Sequence, residues 1–132
     1  MTTQRILTRS DALRIRNLAE RMPELPHGDE IADTLLDLVA QARVIDDEAS
    51  TSHVGLGSVV SYEVQGTAGV QTVTVVAPDE ADARAGRISI FTPVGLALLG
   101  LPEGGAGLLR LPNGHERAVR VQTAQPGLLP AA

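Results

Sequence analysis

The hydrophobic period of this chain changes once, and the change divides it. From about Thr8 the pattern is helical: Ile15, Leu18 and Met22, with Leu13 beside them, form an apolar stripe, and Thr8 and Asp11 stand at capping-box spacing. Residues 21–29, RMPELPHGD, carry two prolines and a glycine, which break a helix and turn the chain. Ile31, Leu35, Leu38, Ala42 and Ile45 then recur in steps of four and three, the seam of a second helix packed on the first. That helix is expected to run about 17 residues and to span only about 25 Å. Residues 1–50 therefore read as a short antiparallel helical hairpin, or coiled coil, whose first seven residues carry no pattern and are expected to be loose.

Asp46 to Ser52 form a polar hinge, and beyond it the period is two. Val60, Tyr62 and Val64 alternate with Ser61 and Glu63, Gly66 to Gly69 makes a turn, and Val73 and Val75 alternate with Thr72 and Thr74, which predicts an antiparallel strand pair. Pro78 ends the second strand, and Asp79 to Gly86 is a polar loop. Arg87 to Leu101, RISIFTPVGLALLGL, then places a short strand before a small apolar helix: Thr92 is its N-cap, Pro93 its first residue, and Gly100 the left-handed stop. No side chain in that helix is an acid, a base or a ligand, so it is expected to be buried support. The last pair of strands is a hairpin around Asn113-Gly114, and the tail from Pro126 is expected to be unpaired. The fold class is α+β. Residues 1–50 form the hairpin, and residues 51–132 form an antiparallel β-sheet domain with one short helix.

At 132 residues the chain suits one ordinary domain with a small appendage. Tyr62 and Phe91 are its only aromatics, which excludes a stacking platform for single-stranded nucleic acid. Its net charge of −5 gives no broad attraction to nucleic acid or anionic membrane. There is no cysteine, so disulfides, thiol catalysis and cysteine metal sites are excluded together. No signal or membrane-length run is present, so a cytoplasmic protein is expected. The charge is uneven: the first 21 residues carry +3, residues 24–48 carry −7, and the rest is nearly neutral.

Taken in order, VGLGSVVSYEV (54–64), VVAPDEADARAGRISI (75–90), TPVGLALLGL (92–101) and LPNG (111–114) resemble the C-terminal domain shared by the bacterial transcript cleavage factors, the Gre factors, and the nucleoside diphosphate kinase regulator family. Thr92 replaces the family serine, while Gly95, Ala97, Leu98 and Gly100 fall in place; Gly104-Gly105 stands where the family often has Gly-Asp. The resemblance implies an FKBP-like sheet domain without isomerase activity. The short hairpin favours the kinase-regulator branch. That branch implies a non-enzymatic, cofactor-free, monomeric protein that docks on RNA polymerase near the secondary channel and competes with Gre-like factors. Two alternatives stand beside it: a transcript cleavage or elongation factor using the acidic hairpin turn, and a regulator of nucleoside diphosphate kinase that does not bind polymerase.

The partner-binding candidates are Thr92, Pro93, Gly95, Glu103, Asp29 and Glu30. Glu24, Asp29, Glu30 and Asp33 gather at the hairpin turn, and two such carboxylates suit a divalent cation, with Asp29 and Glu30 as the candidates. Acids in a first helical turn are also what the helix dipole selects, and that reading is preferred. His27, His53 and His115 are scattered without ligand spacing, and Gly104 to Gly107 lacks the Lys-Ser/Thr of a phosphate loop and is expected to be a strand-entry turn. Arg110, Arg117 and Arg120 surround the last hairpin as ordinary solvated strand positions.

Overall fold

In the computed structural model, residues 4–21, 28–47, 52–111 and 113–125 are described, residues 28 and 29 by backbone only. Alternating polarity and turn glycines build a five-stranded sheet in the order β5-β4-β3-β7-β6, from β3 (Val59–Val64), β4 (Gln71–Val76), β5 (Arg87–Ser89), β6 (Ala106–Arg110) and β7 (Glu116–Gln125). Val60 and Tyr62 of β3 and Val119 and Val121 of β7 point inward, as their period requires, and a register shift opposite Ser61 and Tyr62 brings Ala124 to the same face. The antiparallel β3–β4 pair and the β6–β7 hairpin match expectation, and Arg110 opposite Glu116 closes the Asn113-Gly114 turn, with Gly114 at φ +85°.

The expectation of a purely antiparallel sheet is corrected. β5 runs parallel to β4, pairing Thr74 with Arg87 and Val76 with Ser89. Two 3-10 turns, Pro78–Glu80 and Ala83–Ala85, carry the intervening chain back so that β5 starts beside the middle of β4. The short strand expected before the small helix is present but ends at Ser89, which is buried and whose hydroxyl accepts the Phe91 N–H at 2.9 Å.

The helical portion is α1 (Arg9–Glu20) and α2 (Gly28–Gln41), which pack through Ala12, Ile15 and Ala19 on one side and Ala32, Leu35, Leu38 and Val39 on the other. Thr8 caps α1 as its sequence predicts, accepting the Asp11 N–H at 3.2 Å. Three expectations are corrected here. Leu13 is not in the seam but 58% exposed, because it lies on the opposite face from Ala12 and Ile15. The second helix ends at Gln41, and Arg43–Ile45 form strand β2. The segment expected to be loose contains strand β1 (Ile6–Thr8), which pairs in parallel with β2 and buries Leu7 completely. This two-stranded clasp ties the start of α1 to the end of α2. Met22, Pro23, Glu24, His27, the division at residues 50/51 and the tail from Pro126 lie outside the described residues. Among the described residues no helix is long and apolar enough to cross a membrane.

One hydrophobic core joins the parts: Leu7, Ile15 and Leu35 belong to the same buried cluster as Val60, Val75, Leu98, Leu101 and Val121.

Candidate functional site

The small helix α3 (Pro93–Leu98) is held by its own sequence. Thr92 has extended backbone and uses one hydroxyl twice: it donates to the Ser89 carbonyl at 2.7 Å and accepts the Gly95 N–H at 3.1 Å. Gly95 must be glycine because a Cβ there would collide with the Ser89 carbonyl oxygen and stand 2.8 Å from Ile90 Cα. At the far end Gly100 takes φ +84°, accepts the Ile6 N–H and donates to Val54. Of the three signature candidates, Thr92 and Gly95 are thus internal fastenings, and Pro93 alone is exposed.

The carbonyls at the end of α3 are satisfied from a distance. Arg5 Nη1 donates to Leu96 O at 3.2 Å, to Ala97 O at 3.1 Å and to Leu99 O. A guanidinium is suited to this, carrying several fixed donors and a charge that favours the carbonyl end of a helix. Its burial lowers its pKa from the ordinary arginine value. The role of Arg5 is not legible in the sequence because it lies in a segment without periodicity.

A second cross-link joins α1 to the loop before β3. Asp11 Oδ2 accepts the Leu56 N–H at 3.2 Å, beside Gly55, where any Cβ would stand 2.6 Å from that oxygen. Burial pushes the Asp11 carboxyl above its ordinary pKa, and the Leu56 N–H, His53, Thr8 and Arg14 only partly oppose this. Arg14 and Glu80 add an ion pair at 2.8 Å.

The predicted site residues do not form one cluster. Pro93 lines a groove between α2, α3 and β6, with Thr34, Asp37 and Leu38 on one wall and Leu96, Leu108 and Arg110 on the other. Glu103 is exposed on the turn leading to β6 and accepts the Ala124 N–H at 3.0 Å. Glu30 and Asp33 are exposed on α2, while the Asp29 side chain and Glu24 lie outside the described residues. Among the described residues no three imidazole or carboxylate groups converge on one point. His53 is half-buried and bridges to Pro102, and His115 is exposed. Gly104 at φ +78° and Gly105 turn the chain into β6. Arg110 pairs with Glu116 across the hairpin at 3.4 Å, and Arg117 donates to the Gln65 carbonyl just beyond β3. Among the described residues the arrangement offers an open groove and exposed edges rather than a converging set of reactive groups.

Residues 49–126 match the family described as transcription elongation factor, GreA/GreB, C-term. Transcription elongation factor GreA of Christiangramia forsetii is 39% identical over 79 residues, which cover 59% of this chain and 50% of that protein. GreA of Chloroflexus aggregans is 39% identical over 92 residues, 68% of this chain and 52% of that protein. The chain spans about half the length of these curated relatives. A solved structure titled as a prokaryotic transcription elongation factor GreA/GreB from Nitrosomonas europaea is similar over 93% of this chain and 98% of that one, with 30% identity and a TM-score of 0.68.

Proposed function

The chain belongs to the GreA/GreB C-terminal-domain family, and from that premise we propose that it is a transcription elongation factor that acts by binding RNA polymerase. The observation that carries this reading is the match over residues 49–126, whose signature segment is the helix that Thr92 caps and Gly95 lets approach the chain at Ser89. The names of the relatives favour the elongation-factor reading over the kinase-regulator branch that the short helices suggest. In this proposal the sheet domain, FKBP-like in outline, docks near the secondary channel and competes with Gre-like factors. Pro93 with Leu108 and the exposed Glu103 face the partner. The helices project toward the polymerase, and Asp29 and Glu30 at the head of α2 are the acids available for transcript cleavage. The protein itself is not an enzyme and takes no cofactor; any metal chemistry belongs to the polymerase. At roughly 1.5 Å per residue, α1 and α2 are only about 18 and 21 Å long.

A cleavage assay on stalled elongation complexes tests the proposal. The expected result is more cleavage or restart with the full chain, lost when Asp29→Ala and Glu30→Ala are combined. Failure to alter stalled complexes, together with failure to relieve or block an added GreA factor, would refute it.

A further inference from the structure

We propose that the helical face turned away from the sheet is a self-association surface on which a second copy of this chain packs to form an antiparallel four-helix bundle. Each helix has one face committed to its neighbour and one to the sheet side. On α1, Ala12, Ile15 and Ala19 enter the core, while Asp11, Arg14 and Leu18 face the sheet domain. On α2, Ala32, Leu35 and Val39 enter the core, while Thr34, Leu38 and Gln41 line the groove beside α3. What remains on each helix is an outward stripe at helical spacing: Arg9, Leu13, Arg16 and Glu20 on α1, and Asp33, Leu36 and Ala40 on α2, all exposed.

Each stripe centres on a leucine in water, Leu13 at 58% and Leu36 at 37% exposure. Arginines flank the first, and Asp33 and Asp37 flank the second. Among the described residues neither Arg16 nor Asp33 has an ion-pair partner, whereas Arg9 is taken by Asp46 and Arg14 by Glu80. The β1–β2 clasp fixes the helices antiparallel, and pairing their buried positions from the clasped end matches Ala12 with Val39, Ile15 with Leu35 and Ala19 with Ala32. On that scale Leu13 lies within about 3 Å of the level of Leu36, and Arg16 within about 3 Å of the level of Asp33. A two-fold axis parallel to the helices therefore lays α1 of each copy over α2 of the other. Leu13 then meets the partner's Leu36, and Arg16 meets the partner's Asp33, twice by symmetry. Basic stripe on acidic stripe is why a second copy, rather than a chain of unrelated charge, fits this face. With helices this short, the dimer is expected to dissociate in the range of about 10–100 µM.

Sedimentation velocity of the full chain tests this. The wild type is expected to pass with rising concentration from 13.8 kDa to twice that mass, less readily at high salt. Arg16→Glu alone and Asp33→Arg alone each set like charges together at both contacts, and each is expected to raise the dissociation constant at least about tenfold. Mixed one to one, the two variants regain opposite charges at both contacts and are expected to dimerise with each other. All these positions are exposed, and far-UV circular dichroism verifies that the variants fold. A wild type that stays at 13.8 kDa to about 1 mM overturns the proposal. So does a dimer indifferent to either reversal, or a mixture of the two variants that stays monomeric.

Discussion

Gly95 and Asp11 show how single residues hold this fold under opposite constraints, one steric and one electrostatic. Gly95 sits against backbone rather than a flexible side chain, so the neighbours of an added methyl group have little room to yield. Gly95→Ala is expected to cost about 1–3 kcal/mol or more, read as a lower urea midpoint with an unchanged slope. Asp11 is a buried acceptor whose carboxyl is raised above its ordinary pKa, so between the unfolded and folded values the folded chain holds more protons than the unfolded one. Its contribution to stability is therefore greatest at low pH and falls as pH rises through the raised value. In Asp11→Asn the amide oxygen still accepts from Leu56, and this pH term disappears. The difference in unfolding free energy, wild type minus variant, is expected to decline from acid to neutral pH; a flat difference would contradict the assignment. Thr92, Pro93 and Gly100 announce their roles in the sequence because capping and helix-stop chemistry are local. The destinations of Asp11 and Arg5 are not legible, since their acceptors and donors lie 45 and more than 90 residues away.

At the scale of elements, strands of five or more residues with alternating polarity and the Asn-Gly hairpin were legible, because a period of two needs several repeats to be seen. β1, β2 and β5 have three residues each and offer no period, which is why the clasp and the parallel β4–β5 pairing emerge only in three dimensions. The clasp makes the N-terminal segment part of the sheet domain's support: Arg5 closes the carbonyl end of α3, and Ile6 donates to Gly100 at 2.7 Å. Arg5→Met keeps the apolar stem and removes the donors to three carbonyls. It is expected to cost about 1–3 kcal/mol in chemical denaturation. Arg9→Met, which breaks an ion pair exposed on both sides, is expected to cost within about 1 kcal/mol. Equal losses in the two variants would contradict the role given to Arg5.

For the whole molecule, the continuous core and the cross-links from Arg5, Asp11 and Arg14 make the helices and the sheet neighbours in one packed body. The family was legible in the sequence because its signature is a set of local necessities: a cap, a proline, a close-approach glycine and a left-handed glycine in fixed order. The proposed docking surface was not, since Thr92 and Gly95, which carry the signature, are fastened within the fold, and the exposed Pro93 and Leu108 come from different elements. The central claim is that this surface meets RNA polymerase. Its most direct test is a fluorescence-anisotropy titration of the labelled full chain with purified core RNA polymerase, repeated with Leu108→Glu and with unlabelled GreA as competitor. The proposal predicts saturable binding that GreA displaces and that Leu108→Glu weakens by about tenfold or more. Flat anisotropy up to about 10 µM polymerase, or binding that neither GreA nor Leu108→Glu affects, would contradict it.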